Sequence, residues 1–380
     1  MNSTFRLFVL FLVLLQFGCK ATSTTTPTEN NSKKEEPLSV ILMIGDGMGI
    51  PQISTAFYFG EETPNFERFE SIGLHRSASV SHWITDSAAG ATAFSIGEKT
   101  YKRAIGVSRD TVPKETILEL LKKRGYQTGL ISLTSITHAT PASFYAHVKD
   151  RDLHEKIAEQ LVNADIDFLA GGGRKYFDQR SDGKDFFKEL IDKDYHLDTL
   201  ALSKPIPEKQ NAFIIADEGL PSVIDGRGDF LKEASISALN YFEHSEKPFF
   251  MMIEGSYIDW GGHDENAEMM IGEVRDFDDT LGAVLDYVET HPNTLLVVTA
   301  DHETGGVSIG KFYEKDKTTG KQKEVPQKVA VYFNSDQHSG ELIPVFAKGK
   351  GAVNFQGIYE NNDIYHKILK AISSSNGPVK

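Results

Sequence analysis

Short, almost wholly apolar runs punctuate the chain. Leu38 opens LSVILMIGDGMG, a run of strand length that ends in Gly-Asp-Gly. Residues 128–133 (TGLISL), 166–170 (IDFLA), 248–253 (PFFMMI), 294–299 (TLLVVT) and 343–347 (IPVFA) repeat the pattern. Continuous apolarity, without the alternation of a half-exposed strand, predicts strands buried on both faces, as in a parallel sheet. Between them lie stretches whose apolar residues recur every three or four positions, among them 114–124 (KETILELLKKR) and 266–290. That is the spacing of helices with one buried face. Alternating strands and helices predict an α/β fold, a doubly wound and mostly parallel central sheet with helices on both faces. In that architecture ligands bind beyond the carboxyl ends of the strands. Residues 314–328 (EKDKTTGKQKEVPQK) are polar and charged, which predicts a small crown-like surface insertion, a hairpin or a loop. No internal repeat of roughly 20 to 50 residues is present.

The first residues follow another pattern. Arg6 precedes a mostly apolar run from Leu7 to Gly18, followed by Cys19. The run has the length of a signal-peptide core and is too short to span a membrane, so residues 1–18 are predicted to be a signal peptide. Cys19 is the only cysteine in the sequence and stands where a bacterial lipoprotein is lipidated, although Gln16 departs from the usual aliphatic residue. A plain secretory signal with an incidental cysteine is the other reading. Both predict export, to the periplasm or to a membrane through an N-terminal lipid, and a fold without disulfides. Residues 19–37 hold too little apolar surface to fold and read as a lipidated or flexible tether. A single catalytic domain is then predicted over 38–380.

Composition works mainly by exclusion. The 380 residues are 40% hydrophobic and 25% charged, ordinary for a globular protein. The formal net charge is −14 and Lys and Arg do not cluster, which argues against specific nucleic-acid binding. Any phosphate bound here must find its counter-charge locally. Chemistry-bearing residues follow the apolar runs: Asp46 after the first, then Glu254, Asp259 and His263, then Asp301 and His302, with His338 just ahead of IPVFA. Taken singly, such an Asp is an ordinary turn former or helix cap. Gathered on one sheet edge, these carboxylates and imidazoles would repel and desolvate one another unless cations offset them.

Spacing adds detail. Asp259 and His263 stand one helical turn apart and can face one ion, although Gly261 and Gly262 weaken that turn. Adjacent Asp301 and His302 either divide ligation and orientation between them or both reach a metal. Mixed His and Asp ligation without cysteine suits catalytic zinc, while an all-oxygen set from Asp46, Glu254 and Thr140 suits magnesium. Residues 82–95 (HWITDSAAGATAFS) have two readings. Asp86 and Ser87 cap a helix of small residues, or Ser87 is a nucleophilic hydroxyl at a helix N-terminus that favours an incoming anion.

Six motifs carry these residues: GDGMG at 45–49, TDSAAGATA at 85–93, THATPASFYAHVKDR at 137–151, EGSYIDWGGH at 254–263, TADHETGG at 299–306 and HSGELIPVFA at 338–347. In this order and over this span the chain resembles the alkaline phosphatase family. The resemblance implies hydrolysis of small phosphate monoesters through a phosphoserine on Ser87, with two Zn2+ and one Mg2+ as cofactors. It implies one zinc on Asp259, His263 and His338, and a second on Asp46, Asp301 and His302 beside Ser87. Asp46 would bridge to the magnesium site completed by Thr140 and Glu254, and Arg151 would grip the phosphate. The resemblance also implies a possible homodimer, the state in which the family is often found.

Two positions depart from the family pattern. His138 stands where several bacterial members carry Asp, and lying two residues before Thr140 it is expected to reach the third metal or its waters. Trp260 stands where others carry Lys or His, and either packs or shapes the substrate site. The short segment between His302 and His338 predicts an open entrance and a broad substrate range. The metal core also serves related enzymes. TDSAAG lacks the Cys- or Ser-Pro-Arg motif of a sulfatase, and a phosphodiesterase would not need both Arg151 and the Glu254 site. A non-catalytic phosphate- or metal-binding lipoprotein should have lost a ligand or the nucleophile, yet every matched position is filled.

Overall fold

The computed structural model describes residues 37–375; the predicted signal peptide, Cys19 and the tether up to residue 36 lie outside the described residues. In chain order the strands are β1 (Ser39–Gly45), β2 (Ser71–Arg76), β3 (Gln127–Ser135), β4 (Phe168–Gly172), β5 (His196–Asp198), β6 (Asn211–Ile214) and β7 (Phe249–Gly255). There follow β8 (Thr294–Thr299), β9 (Glu303–Thr304), β10 (Ser308–Lys315), β11 (Gln322–Tyr332), β12 (His338–Ser339), β13 (Leu342–Gly349) and β14 (Gly357–Glu360). Ten of them form one sheet in the order β14-β2-β13-β8-β1-β7-β3-β4-β6-β5. Every neighbouring pair is parallel except those of β13, which runs antiparallel to both β8 and β2. This is the predicted doubly wound, mostly parallel α/β sheet.

The central strands are apolar throughout because each serves two cores. In β1, Val40, Leu42 and Ile44 join Leu130, Met252 and Val297 on one face, under the helices Ser87–Ile96 and Asp363–Ser375. Ile41 and Met43 join Ile131, Ile253 and Val298 on the other, under Phe230–Glu243 and Ala267–Thr290. Each large aliphatic side chain so buried contributes roughly 1.5–3 kcal/mol. The helix predicted over 114–124 is trimmed to Ile117–Lys123 by a capping box: Thr116 Oγ1 accepts from Glu119 N at 3.2 Å while Glu119 accepts from Thr116 N at 2.8 Å. Asn266 likewise caps Ala267–Thr290 through Met269 N at 3.1 Å.

The predicted polar insertion is a hairpin of β10 and β11, longer than 314–328 at both ends and exposed along most of its length. A second small ladder pairs β12 with β9, Thr304 opposite His338 and Glu303 opposite Ser339, and so returns His338 to the segment that follows β8. Register levels the strand ends: Ile44 lies opposite both Glu254 and Thr299, and Ser132 opposite Glu254. The carboxyl ends of β8, β1, β7 and β3 therefore open onto one place. Among the described residues no helix is long and apolar enough to cross a membrane.

Candidate active site

Asp46 leaves β1 with its N–H donated to Gly255 O at 3.1 Å. Asp259 and His263 lie on the seven-residue helix Tyr257–His263 just beyond β7. Its two glycines answer close approaches: a Cβ on Gly261 would lie 2.7 Å from Met270 N, and one on Gly262 would lie 2.8 Å from Thr304 O. The turn that the glycines weaken intrinsically is thus held by what packs on it. Asp301 and His302 follow β8 and are fully buried.

The three histidines share one device. His263 Nδ1 donates to Asp336 O at 2.6 Å, and His338 Nδ1 donates to Thr85 O at 2.9 Å. Thr304 Oγ1 accepts from His302 Nδ1 at 3.2 Å and donates its own hydrogen bond to Asp259. A carbonyl cannot donate, and the Thr304 hydroxyl, its hydrogen directed at Asp259, can only accept, so each Nδ1 carries the hydrogen and each Nε2 turns a lone pair inward, as metal-ligating imidazoles do. The Nε2 atoms of His263 and His338 face each other at 3.1 Å, with Asp259 Oδ1 at 3.4 and 3.6 Å from them. Two lone pairs at that distance repel unless a cation stands between them and the carboxylate.

His302 Nε2 lies 3.3 Å from Asp301, 3.5 Å from Asp46 and 3.2 Å from Ser87 Oγ. Its ring stacks on that of His338, with centroids 3.5 Å apart. Asp259, His302 and His338 also come within mutual reach of one ion; the Thr304 bond occupies His302 Nδ1, and it is Nε2 that faces Asp46 and Asp301. Asp46, His138 and Glu254 form a further group able to hold an ion. Beside it Thr140 Oγ1 donates to Asp46 at 3.4 Å, and Ser132 Oγ donates to Glu254 at 2.5 Å.

Electrostatics show what this crowding costs. Burial, then the charges of Asp301, Asp259 and Glu254, raise the Asp46 carboxyl well above its ordinary range. Burial followed by Asp259 and Glu254 pushes Asp301 up to about 7. Burial also raises Glu254. It lowers His302 and His138 well below the ordinary imidazole range, helped by neighbouring His338 and Arg151 for the first and by Arg151 for the second. One oxygen of each of Asp46, Glu254 and Asp301, and His138 Nδ1, are buried without a hydrogen-bond partner. Buried polar atoms are rarely left so, and oxygen and imidazole donors converging on shared points fit divalent cations.

Ser87 is the first residue of the helix Ser87–Ile96 and is 2% exposed. Asp86 caps that helix through Ala89 N at 3.2 Å, so the small-residue segment does begin with a cap. Gly90 lets the Asp301 backbone lie against it; a Cβ there would approach Asp301 at 3.0 Å. Arg151 is tied by Asp86 Oδ2 at 3.4 Å and by His138 Nε2 at 3.1 Å. Trp260 is 43% exposed and packs edge-on against Tyr257. It is absent from the lining of the cavity that holds Arg151, His263 and His338.

Comparison with known proteins agrees with this geometry. The family model described as alkaline phosphatase matches residues 38–323 and 313–374. The chain belongs to the alkaline phosphatase family. Alkaline phosphatase 4 of Bacillus subtilis is 30% identical over 93% of each chain, and the alkaline phosphatase of Escherichia coli 28% identical over 93% of this chain and 90% of its own. The solved alkaline phosphatase of the Antarctic bacterium TAB5 is 44% identical, covering 90% of this chain and 99% of its own with a TM-score of 0.86. A histidine-to-aspartate variant of the same enzyme holds Mg in its M3 site.

As an alkaline phosphatase this chain is a metal-dependent hydrolase. Its site includes partners that the motifs did not single out. Thr304 stands two residues past His302 within TADHETGG, where extended chain returns to the same side. Ser132 is a lone hydroxyl inside a buried strand, itself a signal of a polar partner. Arg103 left no such trace. Its backbone N–H binds both carboxylate oxygens of Asp86 at 3.1 Å, its guanidinium clamps Asp150 at 2.8 and 3.0 Å, and its φ is 76°.

Proposed function

We propose that this alkaline phosphatase hydrolyses small phosphate monoesters through a phosphoserine on Ser87, with two zinc ions and one magnesium ion as resident cofactors. The observation that carries the reading is the opposed pair of inward Nε2 lone pairs on His263 and His338 beside Asp259, with Ser87 Oγ on neighbouring His302. Asp259, His263 and His338 would hold one zinc; Asp46, Asp301 and His302 the second; Asp46, Thr140 and Glu254 the magnesium. When bound, these cations offset the buried carboxylates, lower the pKa of the Ser87 hydroxyl and stabilise charge on the attacking and leaving oxygens.

The remaining work falls to the chain. Arg151, held by Asp86 and His138, presents a planar fork to two phosphoryl oxygens, and the helix start at Ser87 favours the same anion. Ser87 Oγ bonds to phosphorus as the ester P–O bond breaks; its proton passes to solvent and the ester oxygen leaves as the alcohol. Water then bonds to phosphorus, the Ser87–phosphorus bond breaks, and inorganic phosphate departs. His138 takes the place of a carboxylate beside the third site. The magnesium held by the Antarctic enzyme's aspartate variant supports reading this position as one that sets which ion binds there.

Beyond the site, the proposal takes residues 1–18 as a signal peptide, 19–37 as a tether with Cys19 as its lipid attachment, and 38–380 as one catalytic domain. The enzyme would then act in the periplasm or on a membrane, as a homodimer. The deciding experiment measures hydrolysis of a chromogenic monoester and its matching diester at alkaline pH. It is run on purified protein with and without chelator, then with zinc and magnesium restored. Monoester turnover that disappears on chelation and in Ser87→Ala is the expected result. Preference for the diester replaces the reaction, and zinc binding without turnover of either leaves a binding protein.

A further inference from the structure

The site opens into a cavity of about 840 Å3. Asp86, Arg151, His263 and His338 line its inner side; Trp83, Ile84 and Lys102 stand on its outer wall. None of the three takes part in the chemistry above.

That outer wall is rigidly built. Ser79 N donates to His82 O and His82 N to Ser79 Oγ, each at 3.0 Å, closing a turn immediately before Trp83. Val80 N bonds Thr100 O at 2.9 Å, Lys102 N bonds Ser81 Oγ at 3.0 Å, and Arg103 N bonds Asp86. Two segments are thereby pinned to each other and to the cap of the Ser87 helix. Ile84 fills the space that Gly340 leaves; a Cβ there would come within 2.9 Å of its Cδ1. On this fixed mount the Trp83 indole is 82% exposed. Lys102 has no ion-pair partner among the described residues and lines the same cavity as Trp83 and His338. A solvent-facing indole and an unpaired ammonium on the wall of one cavity, the indole four residues from the nucleophile, form a stacking platform for a flat, electron-rich ring.

We propose that Trp83, with Ile84 and Lys102, forms a leaving-group subsite that favours phosphate monoesters carrying a planar aromatic ring, with nucleoside 5′-monophosphates as the substrate class. The inference rests on the phosphatase reading and deepens it. Trp83 and Ser87 are separated by at most roughly 14 Å of extended chain, a gap that ribose and base bridge once the phosphate lies at Arg151. Trp83 thus confers a preference within an otherwise broad range.

The test compares kcat/KM for adenosine 5′-monophosphate with that for methyl riboside 5-phosphate, which releases the same kind of primary alkoxide but lacks the base. The ratio of the two within each protein is insensitive to how much of that protein is active. The full-length enzyme is expected to favour the nucleotide. In Trp83→Ala the ratio should fall by roughly five- to tenfold, the scale of base–aromatic stacking, chiefly through KM, and Trp83→Phe should restore most of it. A ratio near one in the wild type, or one unchanged by Trp83→Ala, overturns the subsite while leaving the phosphatase intact. Inactivity of the metal-loaded wild type toward both esters overturns the phosphatase reading itself. Conversion of a dimer to a monomer by Trp83→Ala with an unchanged ratio assigns the indole to a second copy of the chain and also overturns the proposal.

Discussion

The hydroxyl of Thr304 donates to Asp259 and accepts from His302, so a single side chain orients a ligand from each proposed zinc set. Thr304→Val keeps the shape and removes both bonds. Loss of such a supporting contact typically weakens metal affinity 10- to 100-fold, and that fall is expected in chelator competition for zinc, with Thr304→Ser close to wild type. His138 makes a complementary case. It lies within reach of Asp46 and Glu254 and touches Arg151. An aspartate there supplies the oxygen that magnesium prefers, so His138→Asp is expected to raise the magnesium retained per chain after dialysis, read by elemental analysis. It should also tighten Arg151 through an ion pair.

At the level of elements, the helix Tyr257–His263 shows tertiary contact overruling local propensity. Its two glycines argue against a helix when read alone, yet a Cβ on either would fall inside van der Waals contact with packed backbone. Gly262→Ala must displace Thr304 and with it the hydroxyl that orients His302. Overpacking of this kind costs about 1–3 kcal/mol, and a calorimetric midpoint lowered by a few degrees, with activity falling further than stability, is the expected outcome.

The same contrast separates what was legible in the sequence from what was not. The six apolar runs are β1, β3, β4, β7, β8 and β13, because strands buried on both faces cannot disguise their composition. Missed were β2, β5, β6 and β14, which are short or only partly buried and give no periodic signal. The antiparallel sense of β13 leaves no local mark either. That the carboxylates and imidazoles of the site gather at one place was readable because strand ends carry them. Thr304, Ser132 and Arg103, whose roles depend on distant partners, could be assigned only in three dimensions.

For the molecule as a whole, His75 links stability to acid. It lies in β2, wholly buried, with Nε2–H donated to Ala300 O at 2.9 Å, and burial pulls its pKa down to about 4. Between that value and the unfolded value near 6.5 the unfolded chain binds the extra proton. The contribution is therefore complete above about pH 6.5 and is lost as pH falls toward 4, at most about 3 kcal/mol. Urea unfolding in chelator at pH 7.5 and 4.5 should show a smaller acid loss for His75→Gln than for wild type.

Alternation along β1 carries a consequence for the gene. Even-numbered side chains from Val40 to Ile44 face one core and odd-numbered ones the other. One added codon inside β1 would exchange every later side chain of that strand between the cores and carry Asp46 about 3.3 Å past Glu254 and Asp301. An in-frame event that leaves composition and hydropathy almost untouched would then abolish catalysis as completely as a frameshift. The same codon at the exposed turn between β10 and β11 displaces none of the residues of the site. In a single-codon insertion scan read by colony staining for phosphatase, β1 should appear as a gap and the hairpin turn as permissive ground.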